Sequence, residues 1–223
     1  MPIAGKGMLL TSMDIDAAHE ADFNRWYDRE HLEERVAIEG FIEARRYIAE
    51  DGSMPKYLSL YCTETFEVLD SPAYRKALAS QTDWSKANIG RFKNMIRGVA
   101  RITISRGKGR GAWLGIVRLR PGGENAERLR STLRDALDPT PLHGIISMHL
   151  IENDAILSKP LTDKPSATDP GAGDWFVLID ATEAKAARSA IGGLTANIGM
   201  KAAVISTGSY RLLWDISKGE IPV

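Results

Sequence analysis

A proton could be moved by four side chains that fall within one short stretch of this chain. Tyr27, Glu30, His31 and Glu34 lie in FNRWYDREHLEER, residues Phe23 to Arg35. On a helical wheel of about 100° per residue, Phe23, Tyr27 and Ile38 align on one stripe, flanked by Trp26 and Ala37. Glu30 and Glu34 fall in the middle of that stripe, and His31 lies at its edge beside Tyr27. A helix buries its apolar stripe, and an unpaired buried carboxylate is strongly unfavourable. Two carboxylates one turn apart on the face to be buried therefore call for a partner or a purpose.

Three readings account for them. In the first, the carboxylates repel each other in a low dielectric, which raises at least one pKa towards neutrality. Glu30 or His31 is then a base, Glu34 the partner that tunes it, and Tyr27 a hydrogen-bond donor to a carbonyl oxygen. In the second, the carboxylates pair with Arg45 or Arg46 of the next element in an ion-pair network. In the third, Glu30, Glu34 and His31 ligate a divalent ion. No second histidine motif faces them in the sequence, so no metal is assigned.

Other candidates are weaker. Phe23, Trp26, Tyr57, Tyr61, Trp84 and Phe92 could wall a pocket, with Arg45 beside it, although aromatic residues at such spacing also serve as core. His19 lies about 16 Å along the helix from Glu30 at 1.5 Å per residue and reads as structural. His149 alternates with Ser147 and Ile151 on a strand, where it could ligate haem or substrate or be a satisfied core histidine, and His143 lies nearby. Cys62, the only cysteine, sits in the apolar run YLSLYC and reads as a small buried hydrophobe. The glycine-rich pieces match no phosphate loop, and no nucleophile elbow or dinucleotide fingerprint is present.

These residues must be positioned by a fold, and composition permits one. Of 223 residues, 43% are hydrophobic, enough for a sizeable core. Lys plus Arg and Asp plus Glu are both 29, so there is no basic surface to favour nucleic acid or an anionic membrane. The basic run Arg101 to Arg110 reads as a strand leading into a Gly-rich linker. The apolar N-terminal stretch is too short for a signal peptide and nothing is long enough to span a bilayer, so the expected location is cytoplasmic.

Strands are expected at Gly7–Ile15, Phe41–Ala49, Tyr57–Thr63 and Gly98–Ser105. Helices are expected from an Asp16 cap to Glu39, at Ala73–Ser80 after the Ser71-Pro72 start, and at Trp84–Met95. The resulting order is βαββαβ. After the linker Gly107–Gly111 it recurs, with strands at Ala112–Leu119, Gly144–Ile151, Trp175–Asp180 and within Ala202–Ile216. A turn at Pro121-Gly122-Gly123 leads into a helix at Glu124–Leu137, and a second helix spans Thr182–Leu194. Lys159–Asp174 reads as a long polar loop. Apolar residues on both sides of Phe41–Ala49 (Ile42, Ala44 and Ile48 against Phe41 and Tyr47) fit a sheet covered twice.

The run Arg25–Arg35 (R-W-Y-D-R-E-H-L-E-E-R), the strand after Gly40 and the later S-P-x-Y helix resemble the EthD-like branch of the dimeric α/β-barrel superfamily. The resemblance covers residues 7–106, and over 110–216 it rests on element order alone. It implies an α+β fold of two ferredoxin-like βαββαβ units packed sheet to sheet within one chain. Residues 1–106 would carry the site and 107–223 would be mainly scaffold. It also implies a pocket between sheet and helices, with a His or Tyr doing proton work. The superfamily includes cofactor-free monooxygenases, muconolactone-type isomerases, polyketide and aromatic-acid cyclases, and haem enzymes.

The expected function is a cofactor-independent acid/base enzyme, of lyase, isomerase or cyclase type, acting on a small hydrophobic carbonyl or hydroxyl compound of aromatic or polyketide character. The alternative is a non-catalytic small-ligand-binding or stress-related protein. A small-molecule partner is expected, a homodimer is compatible, and neither nucleic acid nor membrane is expected. Elemental analysis of protein purified without chelator should find no stoichiometric transition metal. An ion held by Glu30 and Glu34 would instead make the chemistry Lewis-acid catalysis.

Overall fold

The computed structural model describes residues 5–122, 126–161, 169–197 and 204–221. Its strands are β1 (Gly7–Asp14), β2 (Phe41–Ala49), β3 (Tyr57–Thr63), β4 (Lys93–Gly107), β5 (Trp113–Leu119), β6 (Ile145–Asn153), β7 (Trp175–Ala181) and β8 (Val204–Ser217). Its helices are α1 (Ala17–Trp26), α2 (Leu32–Ala37), α3 (Pro72–Ala79), α4 (Asp83–Ile89), α5 (Ala126–Ala136) and α6 (Ala184–Asn197). A single π-helical turn, Tyr27–His31, joins α1 to α2. Gly123, the expected start of a helix at Glu124, the middle of the expected 159–174 loop and Ala202 lie outside the described residues.

The strands close into one antiparallel barrel in the order β1-β3-β2-β8-β5-β7-β6-β4. Residues 7–107 contribute β4-β1-β3-β2, and residues 113–217 repeat that order as β8-β5-β7-β6. The expectation of two sheets stacked face to face needs correcting, because the two sets are hydrogen-bonded edge to edge, β2 to β8 and β4 to β6. An open sheet leaves a row of unpaired N–H and C=O groups on each outer strand. The long strands β4 and β8, 15 and 14 residues, reach across to remove both edges.

Strand alternation then divides the apolar residues into three layers. Met8, Leu10, Leu60, Ile116 and Leu178 fill the barrel. Leu9, Met13, Tyr61 and Val99 point outward beneath the helices of the first half, together with Phe23 and Trp26. Val117, Val177, Leu129 and Leu133 form the corresponding layer of the second half. One sequence-derived face is corrected. A register shift between Phe41 and Glu43 moves Phe41 to the outer layer with Ala44, while Tyr47 stays inside the barrel.

Two helix boundaries also differ from expectation. The helix expected over Trp84–Met95 stops at Ile89, and Lys93 opens β4. The backbone at the end of β1 needs partners, and Lys93 pairs with Asp14 to supply them. The expected cap Asp16 stands at the start of α1 without capping it. Its carboxylate accepts from Lys93 Nζ instead, at 2.6 Å. Ser71 does cap α3, accepting from the Tyr74 N–H at 3.2 Å.

The barrel interior also holds charge. Arg45 is fully buried and donates from Nη1 to Tyr47 Oη at 3.2 Å and to Asp180 at 3.5 Å, while Glu43 lies 3.5 Å from its Nε. Asp180 comes from β7, so this pair ties the two sets of strands together through the core. Removing one member of a buried ion pair strands the other. Asp180→Ala should therefore lose about 3–5 kcal/mol in urea melts, and the double variant Arg45→Met/Asp180→Leu should recover most of it.

Candidate active site

The helix that carries Tyr27, Glu30, His31 and Glu34 is not a regular α-helix. The Leu32 N–H reaches back five residues to the Tyr27 carbonyl, which makes the turn one residue longer than an α turn. Everything after it is rotated by one position. Tyr27 keeps the place that the α wheel assigns it, but the buried positions that follow are His31, Leu32, Arg35 and Val36. Glu30 and Glu34 turn out of the stripe to half-buried positions.

This rotation aims Tyr27, His31 and Arg35 at a cavity of about 280 Å³ between strands β1, β3 and β4 and the helices over them. Leu9, Thr11, Met13 and Tyr61 form its floor, and Tyr74, Leu78, Ile89 and Phe92 its sides. The mouth is completed from far along the chain by Ser158, Pro160, Leu161 and Pro170. The Val99 N–H donates to Ser158 Oγ at 2.8 Å, and Arg97 donates to the Leu157 carbonyl. Residues beyond 106 thus belong to the cavity wall, which the sequence reading assigned to the first half alone.

His31 is 8% exposed and stacks on Trp26, with ring centroids 4.1 Å apart. Its Nδ1 is buried without a hydrogen-bond partner. Burial, and then the charges of Arg35 and Arg46, hold its pKa well below 6.5, so the imidazole is neutral at physiological pH. The Thr11 hydroxyl is also buried and unpartnered, and burial pushes the Tyr61 phenol, whose hydroxyl lies near Tyr27 and Ser59, well above 10. The cavity therefore combines an apolar wall with a neutral imidazole, three tyrosines and two guanidinium groups, Arg35 and Arg97.

Of the residues singled out from sequence, Tyr27, His31, Tyr61 and Phe92 line this cavity. Phe23 and Trp26 form the layer behind it, with Phe23 edge-on to Tyr27 at 5.0 Å. The others lie elsewhere. Tyr57 donates to Glu20, and Trp84 donates to Asp22 at 3.2 Å. Arg45 is inside the barrel. Arg46 donates to Asp28 at 2.9 Å and covers the Tyr27 ring at 4.3 Å, so neither arginine pairs with Glu30. Glu30 Oε1 accepts instead from Trp26 Nε1 at 3.2 Å, Thr82 Oγ1 at 2.6 Å and Ser85 Oγ at 3.1 Å, which fastens α4 to this helix.

Arg35 escaped the sequence reading. Its signal was Leu32 and Val36, two large apolar residues that an unbroken α wheel leaves off the stripe. His149 is fully buried, with Nδ1 2.8 Å from Ser105 Oγ and Nε2 2.9 Å from Ser147 Oγ. With both ring nitrogens engaged, it does not fit the role of a haem or substrate ligand. Among the described residues no cluster of three or more His, Cys, Asp or Glu side chains is arranged to hold a metal ion.

Comparison with known proteins finds the fold among solved structures. An anthrone oxidase-like protein aligns with a TM-score of 0.67 at 10% identity, over 100% of this chain and 98% of its own. A monooxygenase-like protein from Lactobacillus acidophilus NCFM aligns with a TM-score of 0.59 at 9% identity, over 96% and 97%. Chlorite dismutase from Candidatus Nitrospira defluvii, in complex with imidazole, aligns with a TM-score of 0.54 at 11% identity, over 98% and 94%. No family model and no curated protein matches the sequence. At these identities the likeness is one of fold, an eight-stranded antiparallel barrel of the dimeric α/β-barrel type. No helix among the described residues is long and apolar enough to cross a membrane.

The two glutamates now separate. Glu34 has its pKa raised, first by desolvation and then by the charge of Glu30, against the pull of Arg35. A carboxyl whose folded pKa exceeds its unfolded value costs stability as pH rises from about 4.3 through the raised value, after which the cost is constant. Glu34→Gln should therefore equal or exceed the wild type in stability at neutral pH, with the difference vanishing in acid. Glu30→Gln, which keeps an acceptor oxygen, should lose about 1 kcal/mol, and Glu30→Ala about 3 kcal/mol. Urea melts of the three variants at pH 7 and pH 4 check both statements.

Proposed function

We propose that this protein is an enzyme that transfers a proton to or from a small ring-containing carbonyl or hydroxyl compound, with His31 as the general base. The observation that carries this reading is a buried, neutral imidazole with an unpartnered nitrogen on the wall of an apolar cavity. A cavity of about 150 Å³ suffices for benzene, so this one has room for one or two fused rings. His31 removes the proton from an acidic C–H or O–H of the bound ring. Tyr27 and Tyr61 present hydroxyls to the oxygen on which charge develops, and the nearby guanidinium groups favour that charge. Reprotonation at another carbon completes an isomerisation, and attack of the carbanion on a second carbonyl of the same compound, whose oxygen takes the proton back from His31, completes a cyclisation, in either case without a cofactor. In this reading Glu30 and Glu34 support the helix from outside the cavity.

The repeated strand order supports a finer description, a fused tandem of two ferredoxin-like units of the EthD-like kind. Residues 1–106 supply the proton chemistry, and 107–223 supply scaffold together with part of the mouth. A second reading draws on the anthrone oxidase-like and monooxygenase-like neighbours. The same deprotonated ring, met by dioxygen rather than a proton, would be oxygenated.

The test is deuterium incorporation from D₂O, followed by NMR, across a panel of ring ketones, phenols and lactones. Wild type should catalyse exchange at an acidic position of at least one compound, and His31→Asn should lose it by about 10²–10⁴-fold. The rate should be flat through neutral pH and fall only in acid, where the depressed His31 pKa lies. Oxygen uptake with the same compound would favour the second reading. Binding without exchange or uptake would leave a ligand-binding protein.

A further inference from the structure

We propose that Arg35 binds a carboxylate, and hence that the compound taken into the cavity is a small ring-bearing carboxylic acid. The inference rests on the reading of this cavity as the functional site and names its substrate class. Arg35 is 5% exposed and lines the cavity. Among the described residues its guanidinium makes no hydrogen bond, ion pair or ring contact. Three of the other four buried guanidinium groups have carboxylate partners. Arg45 has Asp180 and Glu43, Arg46 has Asp28 and Asn24, and Arg118 has Asp174 at 2.6 Å. Arg97, the second cation of the cavity, donates to the Leu157 carbonyl and lies 3.5 Å from Tyr74 Oη.

A buried charge without a partner is among the costliest features a fold can hold. Among the described residues the cavity wall contains no Asp or Glu to satisfy it. The adjacent Glu34 does not serve, since its carboxyl feels the Arg35 charge but forms no ion pair or hydrogen bond with it. An anion that enters the cavity can supply that partner. A planar guanidinium presents paired N–H donors in the geometry of a carboxylate. Beside that fork the cavity is lined by Leu, Met, Ile, Phe, Pro and Tyr side chains, with Thr11, His31, Gln81, Arg97 and Ser158 as its other polar members, a wall that suits a ring bearing a single charge better than a multiply charged phosphate. An anion seated on Arg35 also offsets one of the two positive charges that weaken His31 as a base, so the substrate would help to arm its own catalyst.

The matched probes are 2-naphthoate and its neutral amide, 2-naphthamide, titrated into the full-length protein by calorimetry. Wild type should bind the acid about tenfold or more tightly than the amide. Arg35→Met should abolish that preference, and His31→Asn should keep it. In wild type, naphthoate but not naphthamide should move the NMR titration midpoint of the His31 ring upward, a readout that needs no variant to fold. Equal affinity of the two probes for wild type, no binding of either at millimolar concentration, or a naphthoate affinity unchanged in Arg35→Met would overturn the proposal. None of these results bears on deuterium exchange in His31→Asn, so failure of the anion site and failure of the proton-transfer reading are distinguishable.

Discussion

One hydrogen bond, from the Leu32 N–H to the Tyr27 carbonyl, decides what the cavity contains. With the ordinary four-residue bond in its place, the helix would carry Glu30 and Glu34 round to the buried face, two like charges in a low dielectric. The extra residue admits His31 and Arg35 instead and leaves the glutamates at the margin, where water and the hydroxyls of Thr82 and Ser85 can meet them. A wide turn leaves the backbone less well packed along the helix axis. Here Trp26 stacks on the His31 ring and donates from Nε1 to Ser85 and Glu30, holding the turn from both sides. The irregularity and two of the cavity's polar side chains, Tyr27 and His31, occupy the same five residues.

The barrel beneath gives that helix a rigid floor. Every strand is paired on both sides, so the outward side chains Leu9, Thr11 and Tyr61 stand at positions set by continuous ladders. The same closure leaves the interior to be filled, and it is filled mostly by aliphatic side chains with a charged cluster around Arg45 and Asp180. Burying such a pair is weak evidence for stability in itself. Its members come from strands 135 positions apart, and its effect here is to make one alignment of the two sets of strands electrostatically compatible.

Much of this was legible in the residues. Period-two apolar runs marked the strands, and the repeated element order marked two similar halves. Tyr27, His31, Tyr61 and Phe92 were identified as site residues and lie on one cavity. What was not legible has three physical causes. A π turn leaves no mark in composition, and an α wheel drawn through it misassigns every later position, which is why Glu30 and Glu34 were chosen over Arg35. Barrel closure depends on how far β4 and β8 extend, and strand ends are set by tertiary pairing more than by local preference. The roof of the cavity comes from residues 158–161 and 170, whose proximity to β4 has no local signature.

That roof has a consequence for how the molecule comes into being. Val99 and Ser158 are 59 positions apart, so the ribosome delivers His31 and Arg35 long before it delivers the cover over them. A nascent chain that has reached residue 107 owns His31 and Arg35 but has two bare strand edges and a binding surface open to water. Only when β8 has found both β2 and β5 do the later loops have a frame from which to hang. Competence to hold a ligand therefore arrives last and all at once. A small molecule that binds this cavity reports on, and by mass action stabilises, the completed barrel and nothing earlier.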